Sequence, residues 1–330
     1  MTEVNKSLHV VLAADAKFAM PLSVAMCSIA VNCDRLRDIT FYVLQHDIGP
    51  EIRERVEKPL MRRNSAGTRV LWLDVPFQKL SEFKTHGHLG PMTYARLVIP
   101  WVLPQEVERV LYLDSDLVVV GNVAELWDRS FYNQTLVAAR DRIVGSMNGP
   151  LGLRNYRQLG IPENAEYFNA GVLLIDLRKW RTDGVSERVI EYLHKNRAII
   201  QMVDQEALNA VLFDSWAPLE CRWNWQVGQL KSSRSQRKGA DGVQQKSIIH
   251  FTTAAKPWLP GCRYEEREVF FEYLDQTEWA GWRIPVSSEL RATCLAGIRG
   301  AAQLMRRLGR RAWKNVIPLL PELQGGRTSK

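Results

Sequence analysis

Two aspartates, Asp114 and Asp116, lie two residues apart at the end of an apolar run that begins at residue 110. In an extended chain, side chains two residues apart point the same way, so both carboxylates can face one point. Burying two like charges close together is costly unless a cation lies between them. Carboxylate oxygens suit Mg²⁺ or Mn²⁺ and leave coordination positions open for phosphate oxygens. The pair therefore predicts a divalent metal site.

Two other interpretations of this pair stay open at this point. Aspartates in a turn can cap a helix or accept backbone hydrogen bonds. An apolar strand followed by Asp-x-Asp is also typical of haloacid dehalogenase-type phosphatases, in which Asp114 would be the nucleophile and Asp116 the acid. That motif usually follows the first strand of its domain, whereas three predicted strands precede it here. Its position counts against a phosphatase.

A second set of polar residues follows the apolar run at residues 248–251. His250 at this predicted strand end offers a neutral imidazole, which binds Mn²⁺ well. Lys256 precedes Pro257 and offers a point charge that could neutralise a phosphate. Taken singly, the histidine is typical of a core or surface position and the lysine indicates almost nothing. Their joint spacing points to a metal and phosphate site.

The elements that must position these residues alternate between strands and helices. Strands are predicted at residues 8–14, 40–45, 69–75 and 110–113, and helices at residues 21–33, 51–61 and 93–103. This alternation favours an α/β fold with a parallel sheet and helices on both faces. Further on, strands are predicted at 136–139, 171–177 and 248–251, helices at 186–196 and 205–212, and a mobile loop at 228–246. Ligands of such sheets bind beyond the carboxyl ends of the strands, where Asp15 and Asp114 stand.

Composition narrows the class of protein. The 330 residues are 46% hydrophobic and 24% charged, which excludes a disordered chain, a collagen and a polytopic membrane protein. Five cysteines without a Cys-x-x-Cys pair indicate a reducing compartment rather than a zinc ribbon. The first residues are typical of a strand and not of a signal peptide. We therefore expect a cytoplasmic enzyme.

The net charge of +8 belongs to the C-terminal end of the chain. Residues 290–330 hold nine Lys or Arg and one acid, and the remaining 35 basic and 35 acidic residues balance. The neutral body argues against a nucleic-acid partner. Residues 289–314 can form a helix with one apolar stripe surrounded by arginines, which is typical of a helix on anionic lipid. A solvated or disordered tail is the alternative. We expect a body at 1–285 and a basic tail at 286–330.

Six short motifs, in this order, resemble the retaining family 8 glycosyltransferases of the GT-A fold. They are Ala13-Ala14-Asp15, Thr93 to Leu97, Leu111 to Asp116, Tyr167 to Val172, Asp204-Gln205 and His250 to Trp258. The chain is most similar to bacterial lipopolysaccharide α-galactosyl- and α-glucosyltransferases, and glycogenin is a distant relative. The resemblance covers residues 8–275 and implies a Rossmann-like, mostly parallel sheet.

The resemblance also implies roles for individual residues. Asp114, Asp116 and His250 would bind Mn²⁺ or Mg²⁺, which grips both phosphates of a nucleotide sugar. The nucleotide would contact Ala13, Ala14, Asp15, Ser115, Thr253 and Lys256. The donor sugar would contact Arg96, Asn169, Ala170, Asp204 and Gln205. Gln205 and Asp204 would be the catalytic residues, and His88 and Asp141 match positions near the acceptor.

Several of these residues also have purely structural explanations. Arg96 could form a helix salt bridge, Asn169 could lie in a turn at a strand edge, and Asp204 could cap the helix that begins near residue 205. Two positions depart from the family pattern. Thr253 stands where the family usually has Gly, and Lys17-Phe18 replaces an Asn-Tyr pair. These departures affect the phosphate contact and the recognition of the nucleoside, and leave the metal ligands intact.

The implied reaction moves galactose or glucose from a UDP-sugar to a glycan or lipid-linked glycan, with retention of configuration. Because the amide of Gln205 is a poor nucleophile, we favour attack of the acceptor on the face from which the phosphate leaves, with a phosphate oxygen taking the acceptor proton. Asp204 is the alternative nucleophile. The implied setting is lipopolysaccharide synthesis at the inner face of the cytoplasmic membrane. A membrane-associated nucleotide-binding module without turnover is the non-enzymatic alternative.

Overall fold

A computed structural model describes residues 7–62, 67–85, 90–228, 245–292 and 294 of the chain. Its strands are β1 (Ser7–Asp15), β2 (Asp38–His46), β3 (Arg69–Asp74), β4 (Arg109–Leu113), β5 (Leu117–Val119), β6 (Leu136–Arg140), β7 (Phe168–Asp176), β8 (Trp216–Leu219), β9 (Trp225–Gln226) and β10 (Ile248–His250). Its helices are α1 (Ala19–Val31), α2 (Pro50–Arg62), α3 (Phe77–Ser81), α4 (Ile99–Val102), α5 (Val123–Trp127), α6 (Leu177–Thr182), α7 (Val185–Lys195), α8 (Val203–Leu212) and α9 (Arg267–Leu274). The predicted α/β alternation is confirmed.

The central sheet has the strand order β3-β2-β1-β4-β7-β6-β8. Strands β3, β2, β1 and β4 are parallel to one another, β7 is antiparallel to β4 and β6, and β8 is parallel to β6. The carboxyl ends of β1 and β4 therefore meet at one edge, where Asp15 and Asp114 stand. The fold is mostly parallel, as the sequence predicted.

Helices cover both faces of this sheet, because its strands are apolar on both sides. Val10 and Leu12 of β1 pack with Leu22 and Met26 of α1 on one face. Val11 packs on the other face, in the hydrophobic cluster that also contains the buried apolar residues of α7 and α8. Because the central strands are buried on both faces, tight packing holds them in place, and with them the side chains that follow their carboxyl ends.

A small second sheet, in the order β5-β10-β9, brings distant residues together. Strand β5 begins directly after Asp116, and β10 pairs with it in antiparallel register, so that His250 lies opposite Leu117. A residue 134 positions away along the chain thereby comes to lie beside the Asp114-Ser115-Asp116 segment. This sheet explains why a histidine so distant in sequence joins the two aspartates.

The structure changes three local predictions. Asp114-Ser115-Asp116 forms a turn between β4 and β5 and is not extended, so the turn itself makes the two carboxylates converge. The helix predicted at 93–103 is a 3₁₀ segment, Pro91–Val98, followed by the short α4, because Pro100 lacks the backbone donor that a continuous helix would need at that position. Strand β7 begins at Phe168 instead of residue 171, so Asn169 lies within a strand.

The described chain divides into two compact units. Of the described residues, those within 1–257 and 264–282 form the first unit, and those within 258–263 and 283–330 form the second. The predicted division at residue 285 stays a prediction, and most of the predicted loop at 228–246 and of the basic tail lies outside the described residues. None of the helices searched among the described residues is long and apolar enough to cross a bilayer.

Candidate active site

A cavity of about 240 Å³ opens at the carboxyl ends of β1 and β4. Asp114 follows β4, Asp116 precedes β5 and His250 ends β10. One ligand atom from each of these three side chains lies within 4.8 Å of the other two. His250 Nε2 is 3.2 Å from Asp116 Oδ1 and 3.6 Å from Asp114 Oδ2. The structure therefore brings together the three predicted metal ligands.

Two atoms of this cluster are buried without a hydrogen-bond partner among the described residues, namely Asp116 Oδ1 and His250 Nε2. Buried polar atoms rarely stay unpaired, because each one costs the free energy of its lost hydration. A divalent cation would satisfy both atoms, and a set of carboxylate oxygens and one imidazole suits Mn²⁺ or Mg²⁺. The residues present thus fit the predicted metal.

The second oxygen of each aspartate is already held by other side chains. Asp114 Oδ1 accepts hydrogen bonds from Arg96 Nη2 and Tyr112 Oη, both at 2.9 Å. Asp116 Oδ2 lies 2.5 Å from Lys256 Nζ. Burial alone would raise the pKa of Asp116, but the ammonium group of Lys256, the strongest opposing effect, holds the pKa below its usual value. Asp116 is therefore ionised and available to a metal.

Arg96 joins the metal cluster to the predicted sugar side of the cavity. Its guanidinium pairs with Asp114 and, at 2.9 Å through Nε, with Asp204 Oδ2. Thr93 Oγ1 donates to the other oxygen of Asp204 at 2.8 Å. Burial raises the pKa of Asp204, while Arg96 opposes this shift. Arg96 thus pairs with acids from other elements instead of forming a local helix salt bridge.

A buried carboxylate organises the opposite wall of the cavity. Asp141 Oδ2 accepts hydrogen bonds from Asn169 Nδ2 and Gln205 Nε2, both at 3.0 Å. Its Oδ1 accepts from the backbone N–H groups of Ile143 and Val144, both at 2.8 Å. Gln205 Oε1 in turn accepts from the backbone N–H of Ala170 at 3.0 Å. Asp141, predicted near the acceptor, therefore fixes two residues predicted to contact the sugar.

The remaining wall is formed by residues predicted to contact the nucleotide. Ala13, Ala14, Asp15 and Ser115 all line the cavity. Asp15 Oδ1 accepts from the backbone N–H groups of Lys17 and Phe18, which fixes the turn after β1. Ser115 Oγ donates to Ala13 O at 2.7 Å and ties β1 to the turn after β4.

Two predicted residues do not appear in this lining. Thr253 is bonded to Tyr264 Oη at 2.8 Å, and the neighbouring Thr252 lines the cavity instead. The Thr252 hydroxyl is buried without a partner within the described ranges, so it is available to a ligand. His88 lies outside the described residues. Asp204 is not the helix cap suggested by its sequence position, since Met202 precedes α8 and Asp204 lies in its first turn.

Gly171 lies against two of the predicted metal ligands, and the sequence analysis did not single it out. A Cβ atom at this position would lie 2.1 Å from His250 Cε1 and 2.7 Å from Asp114 Oδ2. Only glycine leaves room for both ligands. The roles of Tyr112, Thr93 and Asn224 were also missed. Thr93 and Asn224 contact Asp204 and His250, which belong to elements distant in sequence. Gly171 had a signal, since it is a glycine within a run that otherwise reads as a buried strand.

The match to a known family is long. The sequence profile of Glycosyl transferase family 8 matches residues 9–262. General stress protein A of Bacillus subtilis is 27% identical over 83% of this chain and 96% of its own length. Lipopolysaccharide 1,2-glucosyltransferase of Escherichia coli is 24% identical over 83% of this chain and 80% of its own length.

A solved structure shows the same fold. The galactosyltransferase LgtC, crystallised with donor and acceptor sugar analogues, superimposes with a TM-score of 0.70 at 26% identity, covering 85% of this chain and 98% of LgtC. Several matched relatives are longer, and the chain spans 62% and 61% of two streptococcal glycosyltransferases. The family profile, the strand order and the cluster of Asp114, Asp116 and His250 lead to one assignment: this chain belongs to glycosyltransferase family 8.

Proposed function

We propose that this protein transfers a hexose, either glucose or galactose, from a UDP-sugar to a glycan acceptor with retention of configuration. The observation that carries the proposal is that Asp116 Oδ1 and His250 Nε2, two buried atoms 3.2 Å apart, have no hydrogen-bond partner among the described residues. They lie in a cavity lined by residues predicted to contact the nucleotide and the sugar. The family assignment supports the transfer reaction. Asp114 Oδ1 is already held by Arg96 and Tyr112, which gives no support to a phosphatase nucleophile.

Asp114, Asp116 and His250 would hold Mn²⁺ or Mg²⁺. When bound, such an ion offsets the negative charge that develops on a leaving diphosphate. Lys256 is buried at the same edge of the cavity and supplies a second positive charge for the phosphates. Asp15 and the adjoining turn after β1 would receive the nucleoside.

Gln205 and Asp204 are both restrained, which bears on the mechanism of retention. Gln205 Oε1 accepts from Ala170 N–H, and Asp204 is paired with Arg96 and Thr93. Neither is a free nucleophile, so we favour attack by the acceptor on the face that the diphosphate leaves. The acceptor oxygen forms a bond to the anomeric carbon, the bond to the phosphate oxygen breaks, and that oxygen takes the acceptor proton. Gln205 and Asp204 would orient the sugar.

The acceptor that we propose is a lipopolysaccharide or another cell-surface glycan at the inner face of the cytoplasmic membrane. Two features support this. The matched relative from E. coli is a lipopolysaccharide glucosyltransferase. The basic residues of the chain are also concentrated after residue 290, which suits contact with anionic lipid.

A screen of UDP-sugars for Mn²⁺-dependent UDP release tests the proposal. We expect turnover with UDP-glucose or UDP-galactose and a loss on the order of 10²–10³-fold in the Asp116→Asn variant. Asp128→Asn is the matched control, because Asp128 forms a surface pair with Arg37. No UDP release from any UDP-sugar, or full activity of a folded Asp116→Asn variant, would remove the proposal.

A further inference from the structure

Asn224 is fully buried beside the proposed metal cluster and makes two side-chain hydrogen bonds. Its Nδ2 donates to Asn169 Oδ1 at 2.9 Å, and its Oδ1 lies 2.9 Å from His250 Nδ1. It stands at the end of a 3₁₀ turn, Cys221–Asn224, immediately before β9. Because β9 pairs with β10, the backbone places Asn224 next to His250. Asn224 is therefore positioned to act on the histidine from the side opposite the two aspartates.

The direction of each hydrogen bond around Asn224 is fixed by groups whose role is unambiguous. Asn169 Oδ1 accepts from the backbone N–H of Gly171 at 3.0 Å, and a backbone N–H can only donate. On its other side, Asn169 Nδ2 donates to the Asp141 carboxylate at 3.0 Å. The Asn169 oxygen therefore faces Asn224. Asn224 must present its amino group to that oxygen and its own carbonyl oxygen to His250.

This orientation determines the tautomer of the histidine. A carbonyl oxygen only accepts, so His250 Nδ1 must carry the proton of the neutral ring. The lone pair then resides on Nε2, the atom that faces Asp116 Oδ1 and Asp114 Oδ2. Three acceptors thus converge on one point, which is the arrangement a cation requires. Metal-ligating histidines commonly owe their orientation to such a second hydrogen bond.

The same hydrogen bonds continue into the sugar side of the cavity. Asp141 Oδ2 receives both the Asn169 and the Gln205 amino groups, each at 3.0 Å. A continuous path therefore runs from His250 through Asn224, Asn169 and Asp141 to Gln205. A change at Asn224 removes the partner of Nδ1 and also leaves Asn169 with one donor fewer.

We propose that Asn224 is a positioning residue that holds His250 in the Nδ1-protonated tautomer, so that Nε2 is free to bind the metal, and that it connects the metal ligands to Gln205. This inference rests on the proposed metal-dependent transfer. It adds a residue with no contact of its own to the metal or the sugar. It also predicts that Asn224 affects metal affinity before donor or acceptor is present.

The first test reads the tautomer directly in the metal-free, full-length protein. ¹⁵N-labelled histidine is observed by NMR at a pH at which the ring carries one proton, and the His250 signals are assigned by their loss in His250→Gln. We expect Nδ1 to be protonated in the wild type. Protonation at Nε2 in the wild type would overturn the inference, whatever the variants do and whether or not the protein transfers sugar.

The second test measures binding of Mn²⁺ alone by calorimetry. Asn224→Leu should weaken binding by about 10–100-fold, the range typical for loss of a partner of a metal-ligating histidine. Asn224→Asp keeps an acceptor for Nδ1, although it loses the donor to Asn169 Oδ1, and should bind Mn²⁺ better than Asn224→Leu. Asn155→Leu is the matched control, because Asn155 is also buried and hydrogen-bonded but bonds Asn196 and Tyr192 instead.

The outcomes separate this inference from the proposed function. If folded Asn224→Leu binds Mn²⁺ as tightly as the wild type, the positioning role is wrong while the metal site stands. If the wild type binds no Mn²⁺, the proposed function fails, and the NMR measurement alone then confirms or overturns the tautomer. If Asn224→Leu does not fold, the Mn²⁺ affinity of Asn224→Asp and the NMR spectrum of the wild type test the inference. Protonation of Nε2 in the wild type would then overturn it.

Discussion

At the scale of single residues, Asp114 and Asp116 each pair one carboxylate oxygen with a positively charged side chain and leave the other oxygen facing the cavity. Arg96 holds Asp114 and Lys256 holds Asp116, at 2.9 and 2.5 Å. These pairs limit the repulsion between the two acids, and they leave the other oxygen of each acid on the side of His250. Charge compensation at this scale explains why two buried acids can face one cavity.

Lys256→Met removes the positive charge that compensates Asp116 and should therefore lower the stability of the fold. Both partners are largely buried, and removing one partner of a buried pair costs about 3–5 kcal/mol. The depressed pKa of Asp116 means that its carboxylate stabilises the fold fully above pH 3.8, its usual pKa, and that this contribution is lost only as the pH falls further. In Lys256→Met burial is no longer offset, so the pKa of Asp116 rises and protonation on acidification removes the unpaired buried charge. The loss of stability relative to the wild type should therefore be largest near neutral pH and shrink as the pH falls. Thermal melts from pH 3 to 8 measure this, and an unchanged profile would contradict it.

Gly171→Ala should disturb the metal ligands without adding charge or polarity. The new methyl group would lie 2.1 Å from His250 Cε1, so His250 or β7 must shift, at a cost of about 1–3 kcal/mol. We expect weaker Mn²⁺ binding and a lower kcat. Gly49→Ala is the control, since a Cβ there meets nothing within 4 Å. Wild-type Mn²⁺ affinity in Gly171→Ala would show that the ligands tolerate more movement than the packing implies.

At the scale of elements, the start of α8 positions Asp204 and Gln205, two of the five residues predicted to contact the sugar. Val203, its first residue, has φ +46°, a conformation that costs a β-branched residue about 1–3 kcal/mol. The buried Glu206 carboxylate accepts from the backbone N–H groups of Gln201 and Met202, at 2.6 and 2.9 Å. These bonds hold the chain in the strained turn that directs Asp204 toward Arg96.

Glu206→Leu should therefore lower stability and activity together. Two partly buried N–H groups would lose their acceptor, at a cost of at most about 1–3 kcal/mol for each unsatisfied group. Release of the turn should also raise KM for the donor, because Asp204 and Gln205 lose their fixed positions. Glu191→Leu on α7 is the control, since Glu191 forms an exposed pair with Lys195 and should leave the melting temperature nearly unchanged. A donor KM equal to that of the wild type would argue against this role of the turn.

The elements also show what the sequence could and could not predict. Strand–helix alternation and the apolar runs located β1, β2, β4 and α1 closely, because their period and length are local properties. The turn at Asp114–Asp116 and the contacts of Asn224 could not be predicted, since both depend on the pairing of β5, β9 and β10. The antiparallel insertion of β7 likewise leaves no local signal, although it places Asn169 and Gly171 beside β4.

At the scale of the whole molecule, a charge-balanced body precedes a strongly basic segment. The 35 acids and 35 bases before residue 290 cancel, whereas the final 41 residues carry a net charge of +8. A basic segment of this kind suits an anionic lipid surface, and the balanced body lacks the positive charge expected of a nucleic-acid-binding domain. Contact with lipid would bring a soluble donor and a membrane-bound acceptor to the same enzyme.

Reversing charges in this segment tests that proposal with the full chain. We expect Arg306→Glu, Arg307→Glu, Arg310→Glu and Arg311→Glu combined to abolish co-sedimentation with anionic vesicles, because each basic residue contributes about 1 kcal/mol at such a surface. In an assay with a soluble acceptor, the variant should release UDP at the wild-type rate. Equal sedimentation of the two proteins would show that the segment is not the anchor.

The most direct measurement of the central claim is calorimetry of the full-length protein with UDP, in Mn²⁺ and again in chelator. Our account predicts heat of association with the metal present and a large loss of affinity without it, because Asp114, Asp116 and His250 would reach the diphosphate only through the ion. Binding of UDP with equal affinity in both conditions, or no binding by a folded sample in Mn²⁺, would contradict it.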